Sequence, residues 1–358
     1  MAAPAPTYTD TPQQPARFIG QQRIIDYFAR VGAAGLGHAY LFYGPRGVGK
    51  RTFASVLALT LHCERPRSFP VGYCGLCGAC KRGIAGSSGD TIVVDPAFIR
   101  LADEEAGSDR KTDTLGINTS RKILRLMELH SYEGGRLVCI VPDFDRVTPN
   151  RDEPYNALLK ELEEPRPGKL FLLTAERPEL VLATIRSRTM LIRFEPLHEQ
   201  EIAAALLERG GQTPARAALL ARRAQGSLGE ALADAHASGT ASREASRRWA
   251  LGCVSRPKAL PDGLNLGKDD PKGVLDEIIR QARLALRDCL AYAVAGESAV
   301  LDLEGVDDCK TACASLGQAA AAKTVQGLTA IDEASRIATT NVPPATLFAW
   351  LQMELRSL

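Results

Sequence analysis

The sequence predicts an α/β protein in which a parallel sheet, covered by helices on both sides, is followed by two all-helical segments. Three observations predict it. First, the glycine-rich stretch Gly44-Pro45-Arg46-Gly47-Val48-Gly49-Lys50-Arg51-Thr52 links the apolar run Ala39 to Tyr43 with the apolar-rich stretch Phe53 to Leu61. A strand, a tight loop and a helix start therefore meet where backbone N–H groups can converge on an anion. Second, further short runs that are apolar throughout alternate with helix-spaced segments, as buried parallel strands do. Third, the composition beyond Pro196 turns to alanine, leucine and arginine, with no strand pattern up to Leu358.

In chain order, the residues before Phe18 are rich in Ala, Pro, Thr and Gln and predict a flexible tail, 1–17. Ile24, Ile25, Tyr27, Phe28 and Val31 form a helical stripe closed by Gly32 and Gly35. The stretch after the loop's helix reads as irregular through Gly83, and Thr91 to Val94 reads as a strand stopped by Pro96. Leu101 to Leu115, charged and small, reads as a loop. Ser120 to His130 is helical in spacing and is closed by Gly134-Gly135. Leu137 to Val141 is a strand, Asn156 to Leu162 a helix, Leu170 to Leu173 a strand behind the stop Pro165-Arg166-Pro167-Gly168, and Thr189 to Phe194 the last strand. Glu199 to Glu230 predicts a small helical group, Arg256 to Gly273 an exposed connection or helix-free loop, and Val274 to Leu358 helices again.

The 44 basic and 42 acidic residues leave a formal charge of +2 without a long run of one sign. Composition therefore shows no polybasic arm, and nucleic-acid contact would have to come from a local patch or an assembly. With no leader-like start and no long apolar run, a cytoplasmic protein is expected, and in that compartment nine cysteines are not read as disulfides.

The spacing Gly44 to Gly49-Lys50 matches GxxxxGK, a P-loop whose glycines let the backbone approach phosphate and whose lysine reaches the β- and γ-phosphates. Where that motif wants Ser or Thr to hold Mg²⁺ there is Arg51, and Thr52 lies roughly 100° further round the helix. The motif alone leaves ATP binding open. Cys63, Cys74, Cys77 and Cys80 give C-x10-C-x2-C-x2-C, with Gly75 and Gly78 as turn formers, a pattern suited to one tetrahedral zinc. His38 and His62 are weaker alternatives as ligands. Cys139, Cys253, Cys289, Cys309 and Cys313 read as ordinary thiols.

Several stretches together resemble the bacterial clamp-loader family of AAA+ proteins, whose subunits open the sliding clamp within the DNA polymerase III holoenzyme. They are Phe18-Ile19-Gly20-Gln21, His38 to Phe42, the four-cysteine insert, Asn156-Ala157-Leu158-Leu159-Lys160 with Leu162-Glu163-Glu164-Pro165, and Thr184-Ile185-Arg186-Ser187-Arg188. Ile331 to Ala334 and Asn341-Val342 carry a weaker likeness to the family's collar helices. The resemblance implies a P-loop AAA+ domain over 18–195 with a structural zinc module at 63–80, a helical lid over 196–242 and a helical collar over 243–358. It implies as partners the other clamp-loader subunits (gamma/tau and delta), the sliding clamp and primer-template DNA.

The same resemblance exposes departures. Pro142-Asp143 stands where the family's ATPase subunits carry an Asp-Glu pair, and Asp145 lies two residues on. Gly229, in Gly226-Ser227-Leu228-Gly229, occupies the place of the sensor-2 arginine. Thr174 matches sensor 1 and is equally suited to capping a strand exit. Ser187-Arg188-Thr189 matches the Ser-Arg-Cys segment whose arginine reaches a neighbour's ATP, with Thr189 in place of cysteine. The expectation is a subunit with negligible hydrolysis that lends Arg188 in trans. The competing expectations are an active gamma/tau-type ATPase and a zinc-dependent nucleic-acid binder.

Overall fold

The computed structural model describes residues 18–108, 115–132, 135–145, 153–236, 240–255, 264, 266, 271–338 and 342–358. The expected tail, Gly134, Asn341 and most of the 256–273 connection lie outside these. The chain falls into two compact units, Met1–Leu232 and Ala233–Leu358. Residues 196–232 of the expected lid belong to the first unit, and the boundary expected near 242 lies within helix α11 (Thr240–Ser255).

The first unit holds a five-stranded parallel sheet in the order β2 (Thr91–Val93), β3 (Leu137–Val141), β4 (Lys169–Ala175), β1 (Ala39–Tyr43), β5 (Met190–Arg193). The apolar strands need cover on both faces because successive side chains point opposite ways. Ala39, Leu41, Leu137, Cys139, Val141, Phe171, Leu173 and Ala175 face one core with α4 (Pro96–Glu105), α5 (Ile117–Met127), α6 (Glu153–Glu163) and α7 (Ala183–Arg186). Tyr40, Phe42, Val138, Ile140, Leu170 and Leu172 face the other, covered by α1 (Gln22–Val31) and α2 (Lys50–His62). In that second core Phe53 of α2 lies 5.5 Å from Phe42 and 5.7 Å from Phe194, centroid to centroid. The aromatic cluster fixes the helix that follows the glycine loop against the sheet.

Three sequence expectations are corrected here. The stretch taken as irregular through Gly83 contains α3 (Gly78–Ile84), and Leu101 to Glu105, expected as loop, are the end of α4. The signal for α4 was local: the Asp95 carboxylate accepts from the Phe98 N–H at 2.7 Å, with Pro96 at the first helical position. The strands are also not all covered on both faces. Met190 and Leu191 of β5 are each 47% exposed, because β5 is an edge strand paired only with β1. After β5 come α8 (Glu199–Gly210), α9 (Pro214–Arg223) and the start of α10 (Leu228–His236).

The second unit is helical: α11, α12 (Pro271–Ala295), α13 (Val306–Leu316), α14 (Ala320–Ile337) and α15 (Pro344–Ser357). Its core is built from Trp249, Leu251, Ile278, Leu286, Ile331, Leu351 and Leu355 among others, with Trp249 stacked on Phe348 at 5.1 Å. Leu266, from the expected exposed connection, is buried in that core. Cys253, Cys289 and Cys309 are buried there too, and burial raises all three thiols, Cys253 and Cys289 to about 12. No helix among the described residues is long and apolar enough to cross a membrane.

Candidate nucleotide loop, cysteine cluster and edge arginine

The glycine loop leaves β1 at Tyr43 and enters α2 at Lys50, with Gly44, Gly47 and Gly49 at φ of 144°, 73° and 98°. These are backbone conformations that favour glycine. At Gly44 space is also short, since a Cβ would lie 2.2 Å from the Phe194 carbonyl oxygen. Gly44→Ala should therefore destabilise the sheet domain by about 2–3 kcal/mol, read as a lower urea midpoint for its unfolding.

Lys50 is buried, and its ammonium donates to the carbonyls of Gly44 (2.7 Å) and Pro45 (2.6 Å). The start of α10 packs against Gly47 on one side of the loop, while Pro45 and Arg46 at its apex stay exposed. The Gly229 N–H donates to the Gly47 carbonyl at 3.0 Å, and a Cβ on Gly47 would meet Ser227 Oγ at 2.0 Å. A side chain at 229 would begin 3.1 Å from Gly47 Cα, so the absence of one is what lets the start of α10 lie this close. On the loop's other flank, the Phe18 ring lies 3.3–3.4 Å from where a Gly49 Cβ would be. Arg51 and Thr52 follow on the first turn of α2, both half-buried.

At the exit of β3, Asp143 is a non-glycine residue at φ 47°. Its N–H donates to Thr174 Oγ1 at 3.1 Å, so Thr174, which lies inside β4 rather than after it, ties the two strand ends together. Asp145 is buried, and Oδ2 accepts from the backbone N–H groups of Glu176 (3.0 Å) and Arg177 (2.8 Å). Burial pushes its carboxyl upward despite those donors. Through Oδ2 the carboxylate braces the β3 exit against the β4 exit, while Oδ1 is buried without a hydrogen-bond partner among the described residues.

The four predicted cysteines come together. Their Sγ atoms all lie within 4.8 Å of one another. The Cys74 N–H donates to Cys63 Sγ at 3.2 Å, Cys77 N–H to Cys74 Sγ at 3.4 Å, and Cys80 N–H to Cys77 Sγ at 3.4 Å, the last capping α3. Backbone N–H groups of Leu76 and Cys77 draw the Cys74 thiol down to about 6, whereas burial pushes Cys63 and Cys80 up. The module is anchored through a small core of Val56, Leu59, Tyr73, Cys63 and Cys80. Four convergent sulfurs with N–H···S support are a donor set that fits zinc.

Arg188 lies between α7 and β5, and a 3₁₀ turn, Pro178–Leu180, leads into α7. Its guanidinium stays on its own domain edge. Nη1 donates to the Thr184 carbonyl (2.8 Å) and Ser187 Oγ (3.2 Å), and Nη2 pairs with Glu163 Oε1 at 2.7 Å.

A family profile described as DNA polymerase III, delta subunit, matches residues 20–198, half of the chain. The chain belongs to this family of clamp-loader proteins. The delta' subunit of DNA polymerase III from Pseudomonas aeruginosa is 36% identical over 157 residues, 44% of this chain and 43% of that one. The tau subunit of Escherichia coli is 32% identical over 62% of this chain and 32% of its own, and the E. coli delta' subunit 36% identical over 56% and 55%. The alignments thus span from about a third to just over half of these relatives' lengths. A gamma subunit-related protein from Thermotoga maritima shares 14% identity over 93% of this chain and 98% of its own at a TM-score of 0.39, too slight a likeness to carry an argument.

Within the clamp-loader family frame, two contributions were missed in the sequence. Ser227 lies in the segment that resembles sensor 2, but nothing in its spacing tells of its contact with Gly47. Gln21, at φ 54°, donates to the Glu195 carbonyl (2.6 Å) and accepts from the Glu195 N–H (3.2 Å), tying the start of α1 to the end of β5.

Proposed function

We propose that this chain is a delta-prime-like subunit of the DNA polymerase III clamp loader: it hydrolyses no ATP, and it serves the ATP-driven loading of the sliding clamp onto primed DNA in the cytoplasm. In this role it assembles with gamma/tau and delta subunits and supplies Arg188 to a neighbour's ATP. One observation above all supports the reading, which is the close packing of Ser227 and Gly229 on Gly47 of the glycine loop. Besides that contact, Arg51 replaces the magnesium-holding hydroxyl, Pro142 stands at the aspartate position, and one oxygen of Asp145 is held at the β4 exit. Deficits at separate metal and phosphate contacts fall on one transition state, where an arginine contact alone is worth about 10³ to 10⁵ in rate. Zinc held by Cys63, Cys74, Cys77 and Cys80 is structural in this reading, since four thiolates leave no open position for water.

The competing reading, an active gamma/tau-type ATPase, draws on the intact spacing from Gly44 to Lys50. Steady-state turnover of the isolated chain separates the two, and native mass measurement after reconstitution with clamp-loader subunits tests membership and stoichiometry. Lys50→Ala should change clamp loading by the full assembly less than about 2-fold, because its ammonium is spent on loop carbonyls. A loss as deep as the same change produces in an ATPase subunit would overturn the proposal.

A further inference from the structure

We infer that Glu163 is a positioning residue for Arg188, holding the guanidinium at the domain edge in the orientation in which it meets a neighbour's phosphates. The inference rests on the in-trans reading of Arg188. Glu163 is the last residue of α6, and its Oε1 lies 2.7 Å from Arg188 Nη2, while Nη1 is held from the other side by the Thr184 carbonyl and Ser187 Oγ. The two holding elements form one rigid support. Leu162, beside Glu163, and Ile185, beside Thr184, are buried in the same core under the sheet.

A long side chain at an exposed edge would otherwise sample many rotamers, and ordering it at the moment of catalysis costs entropy. A guanidinium has more N–H donors than these three acceptors use, so the hold and a phosphate contact can coexist. The side chains of Arg188 and Glu163 are 33% and 45% exposed, which leaves the pair open to an approaching subunit. A pair this exposed contributes modestly, and the same modest amount is what its loss should remove from turnover.

The test uses the reconstituted clamp loader with clamp and primed DNA, comparing Glu163→Ala, Glu163→Gln, Arg188→Ala and the Glu163→Ala/Arg188→Ala double variant. Glu163→Ala should lower kcat for DNA-stimulated ATP turnover about 2- to 5-fold, with KM for ATP and assembly by native mass unchanged. Glu163→Gln, which keeps an acceptor oxygen, should recover most of the loss. The double variant should be no slower than Arg188→Ala alone, because the glutamate acts through the arginine. If Arg188→Ala is impaired while Glu163→Ala runs at the unmodified rate, or if the two losses multiply, Glu163 has no positioning role. An unimpaired Arg188→Ala is a different result: it removes the in-trans reading and this inference with it.

Discussion

Metal analysis of the purified chain should find about one zinc per chain, and replacing Cys77 and Cys80 by serine should abolish it. The geometry makes the loss steep. All four sulfurs already lie within 4.8 Å of one another, and three of them accept backbone N–H bonds that orient them inward. Burial resists ionisation of Cys63 and Cys80, so a divalent cation is the charge that makes them thiolates. Binding therefore releases protons, and zinc should be lost as pH falls. Structural zinc contributes apparent free energies of about 10–16 kcal/mol in isolated fingers, but here the module leans on α2 through Val56, Leu59 and Tyr73. The double variant should become protease-sensitive between 63 and 84 while the sheet domain keeps its unfolding transition. Stoichiometric zinc surviving both substitutions would sink the assignment.

The features legible in the sequence were those set by local chemistry. Gly44 to Lys50 could only be a tight turn between strand and helix, and four cysteines at that spacing announce their own cluster. Runs that are apolar throughout, such as Ala39 to Tyr43, told of a sheet covered twice, which is what the two cores show. Contacts between residues distant in sequence were not legible. The contact of Gly47 with Ser227 and Gly229 joins positions far apart in the chain, and no pattern near either end predicts it. The helix Gly78–Ile84 was hidden for a different reason: its cap is a cysteine sulfur, and its brevity gives no period to read. Asp145 is a case between these, visible as a carboxylate near the β3 exit, with its use as a brace decided only by where β4 ends.

Arg188→Ala should leave folding and assembly intact while lowering DNA-stimulated ATP turnover and clamp loading by the complex. The cost to stability is small because the side chain is surface-exposed and its pair with Glu163 is of a kind worth at most about 1 kcal/mol. The cost to catalysis is of another order. A planar, permanently charged fork suits γ-phosphate oxygens that share charge in the transition state, and removing such a contact costs about 10³- to 10⁵-fold at the site it serves. Only the neighbour's site that Arg188 reaches should fall by that factor, so total turnover of the complex falls by that site's share and loading falls further if its firing is obligatory. Arg186 is the matched control. It is equally basic and two residues away, but its Nε is buried and has no hydrogen-bond partner among the described residues. Arg186→Ala should cost less turnover than Arg188→Ala. Complexes that assemble with Arg188→Ala and load clamps at the unmodified rate would reduce Arg188 to a surface ion pair and leave this subunit a purely architectural part.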